Sequence, residues 1–168
     1  MSGPSLTWAQ VPAPIRTVAR WATVVNAAGY GVALMFVRHT TAMTPAGIAA
    51  RYRGLDPAAA PDAPLQYPKP VAELLTSTHT HLLGMAALFV VSGLCFAICS
   101  WPTGRWKRIL IAEPFVATLV SMATLWLIRF VDPRFVWLLL LSSGSMAIVL
   151  AIQTSVVLRE LGQADRHG

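Results

Sequence analysis

The sequence predicts an all-α fold: an integral membrane four-helix bundle with a long loop between helices one and two. Three observations predict it. Hydrophobic residues make up 55% of the 168 residues and charged residues only 12%, about half the usual charged share of a soluble domain. The apolar residues gather in four runs, each at or above the roughly 20 residues needed to cross the hydrocarbon of a bilayer. Short basic flanks separate the runs: Arg16 and Arg20, Arg38, then Arg105 with Lys107 and Arg108, Arg129 with Arg134, and Arg159. Membrane spans are punctuated in this way. A chain this small cannot hide so much apolar surface from water, because its surface-to-volume ratio is too high.

The net charge of +6 would suggest nucleic-acid binding in a soluble protein. Here the basic residues form no single patch, so nucleic acid is excluded as a partner. The lipid bilayer is the partner the composition demands.

Residues 1–16 form a segment rich in Pro, Ser and Ala, placed in the cytoplasm. Helix one follows over about 17–37. Arg38 and His39 stand where a cleavage site would need small residues, so this run is expected to stay as a helix. Its Asn26 should face the bundle, because an amide facing lipid is costly. Residues 38–70 make the long loop, with Pro45, Pro57, Pro61, Pro64, Pro68 and Pro70. Within it, TPAGIAARYRG predicts one short helix, capped by Thr44, with Pro45 in first position and Gly54 ending it.

Helix two is expected over about 71–99. It exceeds the length of a single crossing, so its polar start from Glu73 to His81 should lie in the interface. Trp101, Pro102, Gly104 and Arg105 make a tight turn. Helix three covers about 107–130, with Pro114 early in it, and helix four about 135–158, before a polar tail over 161–168. The six tryptophans, Trp8, Trp21, Trp101, Trp106, Trp126 and Trp137, mostly fall near span ends as interfacial anchors do. Four spans put both termini on one side. Lys and Arg divide almost evenly between the two sides, but the short turn between helices two and three is the most basic. Short loops weigh most, so the termini are assigned to the cytoplasm of a bacterium and the long loop to the periplasm.

Three histidines are the candidate ligands. His39 closes helix one, while His79 and His81 open helix two, so antiparallel packing gathers them at one membrane face. Neutral imidazole is the commonest ligand of transition metals and of haem iron. Residues two apart on a helix point about 200° apart, so His79 and His81 cannot both aim at the bundle centre. His81 with His39 makes one candidate pair, and His79 with Glu73 a second polar cluster. Against a haem b, metal or quinone site stands a plainer reading: an interfacial polar cap bonded to loop backbone. Glu113 reads in the same two ways, as a proton-relay group or as a carboxylate salt-bridged to Arg105, Lys107 or Arg108. Cys95 and Cys99 form neither CxxC nor CxxCH and read as packed thiols. Ser142, Ser143, Gly144 and Ser145 suit close helix packing, and Gln153 could bond across the bundle. Met35, Met43 and Met85 are soft enough for copper, but at helical spacing in a membrane they read as packing. No GxSxG, HExxH, P-loop or dinucleotide fingerprint is present.

The stretches ELLTSTHTHLLGMAALFVVSGLCFAI and KRILIAEPFVATLVSMATLWLIRFVDPRFVWLLLLSSGSMAIVLAIQ resemble a family of four-span bacterial inner-membrane proteins. Its His-x-His at the start of a span falls here on His79 and His81. Its Pro-Phe early in the next span falls on Pro114 and Phe115, and its Pro-x-Phe turn on Pro133 and Phe135. A histidine closing the first span, here His39, is also similar. Longer members carry a c-type haem domain between spans one and two. The resemblance therefore implies a periplasmic loop and a respiratory or redox setting, with electron transport to or from a periplasmic partner. This chain departs from those members in lacking CxxCH, so it carries no covalent haem of its own, and it reads SMAT where some members have an acid. Two functions follow: a membrane protein binding haem b, a metal or a quinone through His39, His79 and His81, or a non-catalytic accessory subunit of a larger membrane complex. Either could form a homo-oligomer.

Overall fold

A computed structural model describes residues 6–55 and 66–166. Among these the chain is all helical, with five α-helices and two short 3-10 turns. The AAAPDAP stretch lies outside the described residues.

Helix α1 runs Ala13–Thr41, starting before the expected Thr17 and ending after Val37. Pro14 sits in its first turn, where a missing amide donor costs nothing and the fixed φ is already helical. Arg16 bonds Asp165 at 2.9 Å and Arg20 bonds the same carboxylate, which ties the first turns of α1 to the far end of α5. The hydrogen bond from Arg20, ahead of an opposing burial effect and of Arg16, holds the Asp165 carboxyl below its usual range. At the other end, Ala42 and Met43 take left-handed backbone with φ of 51° and 56°, and the helix stops.

Helix α2 spans Pro45–Arg53, and the Thr44 hydroxyl accepts the Gly47 amide at 3.0 Å. The cap, the first-position proline and the terminal glycine all fall where the sequence puts them. Gly47 has a packing reason as well: a Cβ there would lie 2.1 Å from the Thr41 carbonyl oxygen. Arg53 then donates to the Ile128 carbonyl at 3.1 Å, supplying a donor to one of the last carbonyls of α4 that its own helix leaves open.

Helices α3 (Val71–Ile98), α4 (Gly104–Phe130) and α5 (Val136–Ala164) complete the fold. Each is long and apolar enough to cross a membrane. Helix α1 is as long but is diluted by Thr23, Asn26, Gly29, Tyr30 and Gly31, and is not among them. Cross-links between helix ends show an alternating up-and-down order. Glu160 of α5 accepts from the Ser100 amide at 2.8 Å, just after α3. Arg129 of α4 donates to the Lys69 carbonyl, just before α3, at 3.0 Å. Asn26 of α1 reaches the Leu88 carbonyl of α3 at 3.4 Å.

Side chains fill the interior in three layers. Phe96, Cys99, Val157 and Leu161 pack beside the start of α1. Phe89, Ala117, Met146 and Leu150 fill the middle, where Phe89 meets Phe115 edge to face. Ile48 of α2 joins Ile128 and Val136 at the other end. The outside is as apolar as the inside: Leu119 is 61% exposed, Leu141 71% and Ile148 63%. Only 28% of the most apolar stretch of α5 is buried within the molecule. In water such a surface would cost roughly 25 cal/mol for each Å² left wet; in lipid the cost vanishes.

Two expectations for individual residues are corrected here. Trp8 is not an interfacial anchor. It is 2% exposed and donates its indole N–H to Cys99 Sγ at 3.4 Å, because the 3-10 turn Trp8–Gln10 folds under the bundle. Pro114 is not an early-helix proline, since α4 begins at Gly104 and places it well inside. The tryptophans Trp21, Trp101, Trp106 and Trp137 are exposed, and Cys95 and Cys99 are buried free thiols.

Candidate functional site

The histidines lie at one end of the molecule, as antiparallel packing requires, and all three are exposed. Among the described residues no three His, Cys, Asp or Glu side chains come together as a metal site. Glu73 does not pair with His79; it takes the ammonium of Lys69, one helical turn back. Thr78, between them, is drawn inward and accepts the Trp126 indole N–H at 3.0 Å, so its neighbours on α3 turn outward.

His81 has a defined ring. Its Nδ1 lies 2.8 Å from the Ser77 carbonyl oxygen. A carbonyl can only accept, so Nδ1 carries the hydrogen and, in the neutral ring, Nε2 keeps its lone pair. Metal-ligating histidines are commonly oriented by this kind of bond. The neighbouring stretch of α1 is bare. Every residue from Val32 to His39 is exposed, so among the described residues that part of α1 is left largely uncovered, with Arg51 of α2 reaching over Phe36. Before it, Asn26 bonds the Leu88 carbonyl and Tyr30 packs against the layer of Phe89. At the rim, Thr40, Arg51, Lys69 and Glu73 line a cavity of about 350 Å³. Burial, and the neighbouring Arg51 after it, push the Lys69 ammonium below its usual range, and Arg51 lies over the Phe36 ring at 5.5 Å.

A second polar group lies within the bundle. Pro114 has no amide hydrogen, so the Leu110 carbonyl four residues earlier loses its helical partner. Gln153 of α5, 1% exposed, supplies the missing donor: its Nε2 reaches Leu110 O at 2.7 Å. Sequence reading noted both Pro114 and Gln153 but did not join them, because their pairing depends on the register of α4 against α5. Further along, Ser121 and Ser142 share a hydrogen bond of 2.8 Å across the same two helices. Thr23, Asn26, Ser92 and Gln153 line a narrow crevice beside them.

Glu113 corrects its salt-bridge reading. It makes no ion pair with Arg105, Lys107 or Arg108 among the described residues. Lys107 instead donates to the Ala97 and Cys99 carbonyls at the end of α3, and Arg105 lies over the Trp106 ring. The Glu113 side chain turns to α5, where Oε1 meets the Ser145 hydroxyl at 2.5 Å. Its Oε2 is buried without a hydrogen-bond partner.

Comparison with curated proteins and with solved structures returns no match. A family model described as a transmembrane helical domain matches residues 42–168, which takes in α2 to α5 and leaves α1 outside. With most of the chain covered, this protein belongs to the Aq_1264_TM family of transmembrane helical domains.

Proposed function

We propose that this membrane protein is an accessory module of a larger complex in a bacterial inner membrane. In this reading it offers His81, with His39 and His79 at the same end of the molecule, to haem b, a transition metal or a quinone in a respiratory or redox setting. The observation that carries the reading is the His81 ring: Nδ1 is held by the Ser77 carbonyl, and an exposed Nε2 remains to ligate. One exposed imidazole does not make a closed site. The residues fit a group held at the boundary with a partner and not one enclosed by this chain. The exposed stretch of α1 from Val32 to His39 supports a boundary at that place. When bound, such a group would supply electron transfer or ligand exchange; the chain's part is to orient an imidazole and to cover one side.

The same reading makes α1 the fourth span, with both termini in the cytoplasm and α2 in the periplasm. At about 1.5 Å per residue, α1 is long enough to cross, and basic residues flank its apolar centre at Arg16, Arg20 and Arg38.

The test is gentle extraction of the tagged full chain with whatever stays bound, followed by visible spectra and by metal and quinone analysis. Removing a group that merely orients a ligand costs about 10–100-fold in affinity. His81→Ala should therefore lower the bound cofactor by about tenfold or more, while His79→Ala retains it. A stand-alone cofactor protein would show the same signal in the isolated chain. Full cofactor content in the His81→Ala complex would end the proposal. Co-purification with a second copy, or with a periplasmic protein alone, would replace the larger complex as the partner.

A further inference from the structure

The rim of the bundle beside α2 carries charge that the histidine site does not use. Thr40, Arg51, Tyr67, Lys69 and Glu73 line the cavity of about 350 Å³. Lys69 is paired with Glu73. Arg51 makes no ion pair among the described residues; its guanidinium lies 5.5 Å from the centre of the exposed Phe36 ring. Two cations against one carboxylate leave the cavity with a net positive charge. Burial, and after it the nearby Arg51, hold the Lys69 ammonium below its usual range, so an anion between them relieves a like-charge contact.

An apolar stripe leads into the cavity. Val32, Phe36 and Thr40 stand four residues apart, on one face of α1. Val32 and Phe36 are exposed, and a Cβ on Gly29, one turn before Val32, would meet nothing within 4 Å. From Gly29 to Thr40 the helix rises roughly 16 Å, close to half of the about 30 Å of hydrocarbon in a bilayer. An apolar stripe as long as one leaflet, ending at the Arg51 guanidinium, matches a molecule with an acyl chain and an anionic head.

We propose that this cavity binds an anionic phospholipid, with its phosphate between Arg51 and Lys69 and one acyl chain along Gly29, Val32 and Phe36. Arg51 presents the N–H fork that takes phosphate oxygens in pairs, and Lys69 adds a point charge. The net charge selects an anionic head over a zwitterionic one. The site requires α1 to be a span, which cysteine labelling tests on its own. His39 lies about 100° round the helix from Thr40, so the lipid takes one face of α1 and leaves another to the histidines.

The experiment is native mass spectrometry of the detergent-purified full chain, titrated with phosphatidylglycerol and, separately, with phosphatidylcholine. The wild type should take up a first phosphatidylglycerol in preference to phosphatidylcholine. Loss of the hydrogen bonds from a charged group should weaken that first binding about tenfold in Arg51→Gln, and Arg51→Lys should recover part of it. Arg134→Gln, which removes an exposed cation outside the cavity, should leave it unchanged. Inorganic phosphate at millimolar concentration should not displace the lipid. Equal uptake of the two lipids by the wild type, or displacement by phosphate alone, overturns the proposal without any variant. A loss in Arg51→Gln no greater than in Arg134→Gln overturns it as well.

Discussion

Pro114 and Gln153 carry the clearest argument at the scale of single residues. A proline inside a helix breaks one backbone bond, and in lipid no water is available to replace it. Gln153 meets that need at 2.7 Å, so its value depends on the proline. Gln153→Leu should cost about 1–3 kcal/mol, the usual penalty for leaving a buried polar group unpaired. In a Pro114→Ala background the helix regains its own donor, and the same change should cost much less. A double-mutant cycle read by thermal unfolding in detergent checks this. Equal costs in the two backgrounds would show that Gln153 acts through packing alone. Both residues are legible in the sequence as polar or kinking elements of a span. Their partnership is not, since nothing local sets which turn of α5 lies beside Leu110.

At the scale of elements, α2 was readable almost residue by residue. Capping and turn chemistry are local, and TPAGIAARYRG holds the cap, the first-position proline and the terminating glycine within one short stretch. Gly54 has φ of 81°, and a Cβ there would lie 2.7 Å from the Gln66 carbonyl oxygen. Backbone of this kind belongs to glycine, at a cost to other residues of about 1–3 kcal/mol. Gly54→Ala should therefore loosen the α2 cap on α4, where Arg53 reaches Ile128. Faster amide exchange over α2 and the last turn of α4, with the middle of the bundle unchanged, is the expected result. The ends of α1 were less legible. Its first turns are held by Asp165, at the far end of the chain, and hydropathy does not register a bond of that range.

For the whole molecule, composition and run length demand lipid, and exposed Leu, Ile and Val along α4 and α5 repeat the demand in three dimensions. The proposed four-span topology predicts that single cysteines placed at Thr17 and at Gln163, in a chain with Cys95 and Cys99 replaced, react only from the cytoplasmic side. A cysteine at Ala46 should react only from the periplasmic side. Labelling of intact cells with a membrane-impermeant maleimide checks this; opposite labelling of positions 17 and 163 would remove α1 as a span. By itself the sequence determined the solvent of this protein, its helical class and the local start and stop of α2, because those follow from hydrophobicity and short-range backbone chemistry. Only the tertiary structure decided that Glu113 turns to Ser145 and not to the basic turn, that Gln153 serves Leu110, and that His81 looks outward. Each of those depends on the rotation and register of one helix against another, which interchangeable apolar side chains leave open until the helices pack.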